Sequence, residues 1–292
     1  MTKVEHLGVC GAGIMGTGIA LTAARAGLTV ALYDSDPAAW ERSRREQTRV
    51  VERWQARGMA PEDGAAALGR IRPATSLEEA VAGAPIVVEA IRENLAAKQD
   101  LFAQLDGLAS PETILASNTS SLAPTGLASR ARHPERTIGT HFMNPPYAIP
   151  LVEVTPGWHT SPETVERTVA FLEQIERTPV VLKKEMAGGI SSRLLISMRN
   201  EAAHIVAEGV ASAEDVDAAM RQLGFPMGPL AMLDLVGIDL HVTNCEMLNA
   251  ELGTTRFQPN PLLRQMVRAG LLGRKAGRGF YDHRERLSRP AR

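Results

Sequence analysis

The sequence predicts an α/β protein in which a doubly wound sheet domain is followed by a smaller, all-α C-terminal domain. Three observations predict this fold class. In the first part of the chain, short apolar runs alternate with helix-like segments, as in parallel strands joined by crossover helices. After residue 188 only helix-like segments remain, separated by glycine and proline. The chain of 292 residues is also long enough for two domains, because one domain takes roughly 100–200 residues.

Local signals predict the elements of the sheet domain in chain order. The apolar runs predicted as strands are 7–10, 29–33, 85–89, 114–117, 137–141, 150–154 and 179–182. The predicted helices are 14–26, 37–57, a short one after Ser76, 95–108 and 162–175. Gly27 ends the first helix, Pro37 stands in the first turn of the second, and Ser76 begins the third with a capping box.

The second domain is predicted to contain helices alone. They are expected at residues 190–207, 213–223, 229–236, 238–252 and 261–269. The glycine pair Gly188-Gly189 could act as a hinge, which predicts a sheet domain over residues 1–185 and a helical domain over residues 186–292. The helical half is rich in leucine, methionine and alanine, and such a surface commonly forms a dimer. A homodimer through this domain is therefore expected.

Composition excludes several classes of partner. The net charge is -1 and the isoelectric point is about 6.7, so nothing in the overall charge attracts nucleic acid or an anionic membrane. Cys10 and Cys245 are too few for a disulfide framework or a cysteine-only zinc site, and no metal site is predicted. The first residues lack an apolar signal region, and no apolar run approaches membrane-spanning length. A cytoplasmic protein with reduced thiols is expected.

A glycine fingerprint stands where the first predicted strand meets the first helix. In Gly11-x-Gly13-x-x-Gly16 the first glycine allows a tight turn, the second lets the backbone approach a pyrophosphate, and the third lets helix and strand pack closely. Ile14 and Met15 open the helix inside this turn, where a helix N-terminus faces the phosphates. The pattern predicts a Rossmann-type dinucleotide-binding domain. The alternative is an accidental glycine turn in an unrelated α/β protein.

An acidic residue selects the cofactor. Asp34 follows the second predicted strand, about 20 residues after the fingerprint, where a carboxylate hydrogen-bonds the 2′-hydroxyl of the adenosine ribose. The same carboxylate would repel a 2′-phosphate. NAD is therefore predicted as the cofactor rather than NADP.

A histidine and a glutamate supply the candidate chemistry. His141 ends a predicted strand, which is where a doubly wound sheet places its reacting groups, although a lone histidine there is more often structural. Glu153 lies in the apolar run 150–154, and a buried carboxylate needs a partner that a neighbouring imidazole can supply. Such a pair is suited to removing an alcohol proton during hydride transfer, which predicts a dehydrogenase.

A serine pair and a row of arginines each have a structural and a functional interpretation. Ser121, in the segment after the strand 114–117, is a helix cap by its position, while Ser120 beside it can hydrogen-bond a substrate oxygen. A row of arginines recurs every fourth residue of the second helix. It is formed by Arg45, Arg49, Arg53 and Arg57. This row is either a solvated surface or a site for a polyanionic group such as the phosphates of coenzyme A.

With these pieces placed, the chain resembles the 3-hydroxyacyl-CoA dehydrogenase family over nearly its whole length. The matching motifs lie at residues 11–16, 88–94, 116–122, 141–145, 151–153, 226–229, 234–239 and 273–281. The resemblance implies an NAD-binding N-terminal domain, a helical dimerising C-terminal domain, and the reversible oxidation of an L-3-hydroxyacyl thioester to the 3-ketoacyl thioester. It also implies a role in fatty acid metabolism.

The resemblance assigns roles to individual residues. It implies that His141 is the base, Glu153 its orienting partner and Ser120 a ligand of the substrate. The residues that it implies as cofactor contacts are Asp34, Glu93, Lys98, Asn118 and Asn144, beside the glycine turn. Ser192, directly before Arg193, stands where the family has a catalytic asparagine, and is the fourth candidate catalytic residue.

Three hypotheses remain open from the sequence. The first is an NAD-dependent dehydrogenase of a short-chain 3-hydroxyacyl-CoA such as 3-hydroxybutyryl-CoA. The second keeps the chemistry but acts on a free 3-hydroxy acid, because the run 144–153 also resembles the gulonate and carnitine dehydrogenases of a neighbouring branch. The third is an inactive nucleotide-binding or structural homologue, which the serine at position 192 suggests and which intact His141, Glu153 and Ser120 argue against.

Overall fold

The computed structural model describes residues 3–284, and the predicted fold class is confirmed. The chain divides into two compact units, Met1–Gly189 and Ile190–Arg292. The first unit is built on a sheet and the described part of the second is helical. The division falls a few residues after the boundary predicted between residues 185 and 186.

The first unit contains one eight-stranded sheet in the order β3-β2-β1-β4-β5-β6-β7-β8. Its strands are β1 (His6–Cys10), β2 (Thr29–Tyr33), β3 (Ile71–Ala74), β4 (Ile86–Glu89), β5 (Ile114–Ser117), β6 (Thr137–Phe142), β7 (Leu151–Pro156) and β8 (Thr178–Val181). The strand order reverses between β1 and β4, and a doubly wound sheet binds its ligand at the carboxyl ends of the strands at such a reversal.

Seven α-helices of the first unit connect the strands. They are α1 (Ile14–Arg25), α2 (Ala39–Gln55), α3 (Pro61–Arg70), α4 (Leu77–Val81), α5 (Leu95–Leu108), α6 (Pro124–Leu127) and α7 (Pro162–Gln174). Ser76 begins α4 as predicted, because its hydroxyl accepts a hydrogen bond from the N–H of Glu79 (3.3 Å). The apolar faces of α1 and α2 pack on the sheet in the largest core cluster, with Val9, Leu21 and Val51 among its buried residues.

Two predictions about the first unit were wrong. The segment between α2 and β4 holds α3 and β3, which were not predicted. Proline at N1 and two acidic residues in the first turn mark α3, but β3 is a short edge strand whose central residues, Arg72 and Pro73, are exposed. The second helix begins at Ala39 and not at Pro37, because Asp36 turns the chain by accepting the N–H of Ala38 (3.0 Å).

The sheet also departs from the predicted all-parallel pattern. Strands β6 and β7 are antiparallel, whereas every other neighbouring pair is parallel. The connection from residue 143 to residue 150 explains this, because a parallel crossover needs about a dozen residues or more. Tyr147 of this connection packs edge-on against Trp54 of α2, with ring centroids 5.9 Å apart. Arg177 donates to the carbonyls of Pro146 (2.9 Å) and Ile149 (3.3 Å).

The second unit is formed by five α-helices within its described residues. They are α8 (Ser191–Ala207), α9 (Ala213–Gln222), α10 (Pro229–Val236), α11 (Ile238–Leu252) and α12 (Pro261–Arg268). Asp234 of α10 holds the segment that follows α12, since its carboxylate accepts the N–H groups of Phe280 and Tyr281 (both 2.9 Å). Across residues 3–284, no helix combines the length and apolar character needed to span a membrane.

Candidate active site

The register of the antiparallel pair brings the two candidate catalytic residues together. His141 of β6 and Glu153 of β7 are direct partners across the ladder, so their side chains leave the same face of the sheet. Nδ1 of His141 lies 3.1 Å from Oε2 of Glu153. The Glu153 side chain is 2% exposed and that of His141 is 18% exposed. Since the carboxylate accepts Nδ1–H, Nε2 of the imidazole is left as the basic nitrogen.

A glycine makes room for the carboxylate. Gly189 has a φ of 46°, and a Cβ built there would lie 2.6 Å from Oε2 of Glu153. Any larger residue at position 189 would displace the carboxylate that holds His141. Gly189 was predicted as part of a hinge, and it also lies against the carboxylate of Glu153.

A small pocket opens beside the pair. His141, Glu153 and Ser120 line it, together with apolar groups from Leu122 and Met186. Its volume of about 20 Å³ is the space of a single water. The backbone carbonyl of Ser120 accepts the N–H of Gly188 (3.1 Å), which fixes the loop that carries the serine hydroxyl. The structure thus brings Ser120 to the same pocket as the His141–Glu153 pair.

Two predicted cofactor contacts, Asn118 and Asn144, lie near the end of β6 in the structure or in the chain. Oδ1 of Asn118 accepts the N–H of Phe142 (3.0 Å), so this side chain ties the end of β5 to the residue after His141. Asn144 is exposed in the connection between β6 and β7.

The connection between β6 and β7 packs directly on α1, the helix that follows the glycine fingerprint. A Cβ at Gly18 of α1 would lie 2.7 Å from Cδ of Pro146.

The glycine turn has the features that a dinucleotide site requires. Gly11 has a φ of 109°, and a Cβ there would lie 2.6 Å from the carbonyl oxygen of Ala90. A Cβ at Gly16 would lie 1.7 Å from the carbonyl of Gly11, whereas one at Gly13 would meet nothing within 4 Å, which leaves that side open to a ligand. Within the described chain, no side chain caps α1 and its first turn holds no acidic residue. The N-terminus of α1 therefore suits a pyrophosphate.

The candidate ribose ligand is held in place by the same turn. Oδ2 of Asp34 accepts the N–H of Ala12 (2.8 Å) and Oδ1 accepts the N–H of Asp36 (2.9 Å). A carboxylate has about four acceptor positions, so Asp34 keeps capacity for a hydroxyl.

A buried lysine joins the ends of β4 and α5 to the site. Lys98 is fully buried, and its Nζ lies 2.9 and 3.0 Å from the two oxygens of Glu89 and 3.0 Å from Oε2 of Glu93. We call these residues the Glu89–Lys98–Glu93 triad. Glu89 is buried, while the side chain of Glu93 is 33% exposed. Because Lys98 directs its ammonium to the two carboxylates, Glu93 is the member of the triad that can reach a ligand.

Further donors surround both carboxylates. Glu89 accepts the N–H of Ile91 (2.6 Å) and the hydroxyl of Ser117 (2.5 Å). Burial raises the pKa of the Glu89 carboxyl, and the ammonium of Lys98 and these donors oppose that shift.

Glu93 joins the triad to the pocket. It accepts hydrogen bonds from the hydroxyls of Thr119 and Ser121 (2.7 Å for Ser121). Burial alone would raise the pKa of Glu93, but Lys98 and the two hydroxyls outweigh it and hold that pKa below its usual range.

Comparison with known proteins identifies the family of the chain. Residues 6–186 match the model of the NAD binding domain of 3-hydroxyacyl-CoA dehydrogenase, and residues 188–283 match the model of its C-terminal domain. The chain belongs to the 3-hydroxyacyl-CoA dehydrogenase family. The resemblance inferred from the motifs is thereby confirmed, and this dehydrogenase is an NAD-dependent oxidoreductase acting on CH–OH groups.

Relatives of the dehydrogenase carry related names. A Bacillus subtilis (strain 168) protein named "Probable 3-hydroxybutyryl-CoA dehydrogenase" is 44% identical over 98% of this chain and 100% of its own length. The crystal structure of (S)-3-hydroxybutyryl-CoA dehydrogenase from Ralstonia eutropha matches with a TM-score of 0.89 and 37% identity, over 96% of this chain and 99% of that chain. The 5-formyl-3-hydroxy-2-methylpyridine 4-carboxylate 5-dehydrogenase of Mesorhizobium japonicum is 35% identical over 95% of this chain and 90% of its own.

Two predicted groups of the dehydrogenase belong to helices α8 and α2. Ser192 is half-buried in the first turn of α8, in the second unit. In the arginine row, Arg45, Arg49 and Arg53 lie exposed on α2, but Arg57 follows the end of the helix. Arg49 has a distant acidic neighbour, 3.9 Å away at Glu46.

Sequence reasoning missed two residues that shape the dehydrogenase site. Glu89 was predicted only as the end of a strand. It lies in the apolar run 85–89, and a buried carboxylate needs a partner. The same argument had identified Glu153. Gly189 gave no usable signal, because its close approach to Glu153 joins residues far apart in sequence.

Proposed function

We propose that this dehydrogenase oxidises a short-chain L-3-hydroxyacyl-CoA, such as 3-hydroxybutyryl-CoA, to the 3-ketoacyl-CoA, and that the reaction is reversible. The observation that carries the proposal is the cross-strand contact between His141 and Glu153 at a pocket shared with Ser120. The names of the Bacillus and Ralstonia relatives support the substrate class.

His141 acts as the general base. With Nδ1–H donated to Glu153, Nε2 accepts the proton of the substrate hydroxyl, and the carboxylate stabilises the imidazolium that forms. NAD, when bound, supplies the acceptor for the hydride. Ser120 donates a hydrogen bond to the substrate oxygen and holds it near His141. In the reverse direction the imidazolium returns its proton to the same oxygen, which makes one pair sufficient for both directions.

The cofactor contacts follow from the same site. We assign the pyrophosphate to the turn formed by Gly11, Gly13, Ile14, Met15 and Gly16, and the adenosine ribose to Asp34. Glu93, Asn118 and Asn144 are assigned to the nicotinamide half, with Lys98 acting through Glu93. A homodimer through the second unit and a cytoplasmic location belong to the same proposal.

A second candidate is a free hydroxy acid or hydroxy compound as substrate. It is favoured by the 35% identity to the Mesorhizobium enzyme, whose name carries no coenzyme A. In that case the exposed arginines of α2 bind nothing.

A substrate panel with two active-site variants tests the proposal. Cofactor reduction is measured with 3-hydroxybutyryl-CoA, free 3-hydroxybutyrate, gulonate and carnitine. We expect turnover with the thioester, and a kcat lowered by about 10²–10⁴ in His141→Gln with NAD affinity retained. Glu153→Gln is expected to lower kcat as well.

The matched control is His159→Gln, on an exposed loop after β7. It should leave kcat unchanged. Near wild-type turnover in His141→Gln would refute the assigned base, and turnover with free acids alone would replace the first candidate by the second.

A further inference from the structure

The Glu89–Lys98–Glu93 triad carries an uncompensated charge. It contains two carboxylates and one ammonium, so its net charge when all are ionised is one negative. The contacts are those of ionised groups: the four hydrogen bonds that Glu89 accepts come from the Lys98 ammonium, the Ile91 N–H and the Ser117 hydroxyl. These four hydrogen bonds favour the ionised form of the carboxyl and oppose the effect of its burial.

The net charge lies at the edge of the reaction site. Glu93 accepts from the hydroxyls of Thr119 and Ser121, the residues on either side of Ser120. All three line the pocket that contains His141. Atoms that exchange a hydride must come within about 3–3.5 Å of each other. If the reacting carbon lies beside His141, the nicotinamide ring therefore lies at this same edge of the sheet.

The two redox states of the cofactor differ there by one charge. The oxidised nicotinamide ring is a cation and the reduced ring is neutral. A buried negative charge attracts the oxidised ring. It has little effect on the reduced ring, which has no net charge. Because the triad is buried apart from Glu93, salt screens its charge less than it screens a surface carboxylate.

We propose that the Glu89–Lys98–Glu93 triad is a charge device that raises the affinity of this site for NAD⁺ relative to NADH. Lys98 and Glu89 are positioning residues: the ammonium fixes Glu93, and Glu89 keeps the triad net negative. The inference rests on the proposed placement of the reaction beside His141. It goes further by giving Glu89, which the reaction itself does not use, a measurable function.

The expected size follows from Coulomb's law. One charge at about 10 Å, with an effective dielectric constant near 20, changes a binding constant by about tenfold. A tenfold change in the ratio of the two dissociation constants moves the potential of a bound two-electron couple by about 30 mV.

The test measures Kd for NAD⁺ and for NADH by calorimetry on the full chain, without substrate. Glu89→Gln and Glu93→Gln each remove one negative charge with little change of shape. In both we expect the ratio Kd(NAD⁺)/Kd(NADH) to rise about tenfold. A loss of affinity that is equal for the two forms cancels in the ratio, so a purely structural role of either residue would leave it unchanged.

Glu112→Gln is the matched control, since this exposed glutamate precedes β5 at the opposite edge of the sheet from Glu89. It should not move the ratio. An unchanged ratio in Glu93→Gln, or an equal rise in Glu112→Gln, overturns the proposal. The side chain of Glu93 is partly exposed, so Glu93→Gln is expected to fold. If Glu89→Gln does not fold, Glu93→Gln alone decides the test.

This outcome is separable from that of the proposed function. The ratio needs neither a thioester nor turnover, so a wrong substrate leaves it unaffected. An active 3-hydroxybutyryl-CoA dehydrogenase whose ratio ignores both substitutions contradicts the charge device alone.

Discussion

Asp34 supports the fold of the glycine turn, and we propose that it also selects the cofactor. Its carboxylate holds the backbone of Ala12 in the glycine turn and keeps acceptor capacity for a ribose hydroxyl. We expect wild-type protein to prefer NAD strongly over NADP in kcat/KM, and Asp34→Ser to narrow the gap because the repulsion of a 2′-phosphate is removed. Comparable efficiency with both cofactors in the wild type would contradict this role.

By the resemblance of the sequence to the family, Ser192 stands where a catalytic asparagine is expected. A serine hydroxyl reaches less far than an asparagine amide and leaves room for a water or a bulkier substrate. We expect Ser192→Asn to raise kcat on 3-hydroxybutyryl-CoA by about tenfold, the worth of one regained hydrogen bond. It should lower activity on a larger true substrate. If steady-state rates on every substrate stay as they were, Ser192 does not line the site.

The helix α5 is tied to the residue before β6 by a buried ion pair. Nη2 of Arg136 lies 2.7 Å from Oδ1 of Asp106, and both side chains are buried. Burial alone would raise the pKa of Asp106, but the hydrogen bond and charge of Arg136 outweigh it, and the pKa lies below its usual range. A lowered carboxyl pKa stabilises the fold above the unfolded value, near 4, and this contribution is lost as pH falls through the folded value.

Asp106→Asn should therefore lower the free energy of unfolding at pH 7 by on the order of 3 kcal/mol, since it leaves the Arg136 charge buried without its partner. Urea unfolding at several pH values measures this. The difference from wild type should begin to shrink as pH falls below about 4, where the unfolded carboxyl takes up a proton, and should be lost as pH falls through the lower pKa of the native carboxyl. Asp100→Asn is the control on the same helix: its pair with Arg130 is exposed, so a loss of at most about 1 kcal/mol is expected.

The exposed arginines of helix α2 allow a test of whether the dehydrogenase binds the nucleotide part of a coenzyme A thioester. Arg49 and Arg53 are exposed on it, and Arg49 is only weakly paired. Exposed charges are worth about 0.5–1 kcal/mol each, so changing both to glutamine should raise KM for the thioester by about fivefold to thirtyfold. A pantetheine analogue, which lacks the nucleotide, should be little affected. Arg42→Gln, which removes the partner of Asp36, is the control. Equal changes for both substrates would make the row a solvated surface.

For the pair β6 and β7, the sequence predicts the strands and their contact but not their register. Alternation and apolar runs predicted both strands, and the need of a buried carboxylate for a partner predicted that His141 and Glu153 meet. The antiparallel direction of the two strands could have been predicted from the short connection between them. Their register could not be predicted, because it depends on the packing of that connection against Gly18, Trp54 and Arg177.

For the molecule as a whole, the two-domain architecture, the dinucleotide turn and the family could be predicted from the sequence, since each rests on residues close together in the chain. The edge strand β3 could not, because its exposed Arg72-Pro73 centre breaks the apolar pattern. The triad was equally hidden, as Glu89 and Lys98 meet only when β4 and α5 are packed.

The contact between Tyr147 and Trp54 gives the molecule an optical consequence. The chain contains three tryptophans. Trp158 is 83% exposed, so its emission is that of an indole in water. Trp54 contacts both the ring of Tyr147 and the guanidinium of Arg25, whose Cζ is 5.4 Å from the indole centroid. Its emission is sensitive to both neighbours. In a background that carries both Trp40→Phe and Trp158→Phe, Trp54 is the remaining tryptophan, and intrinsic fluorescence reports on the connection between His141 and Glu153.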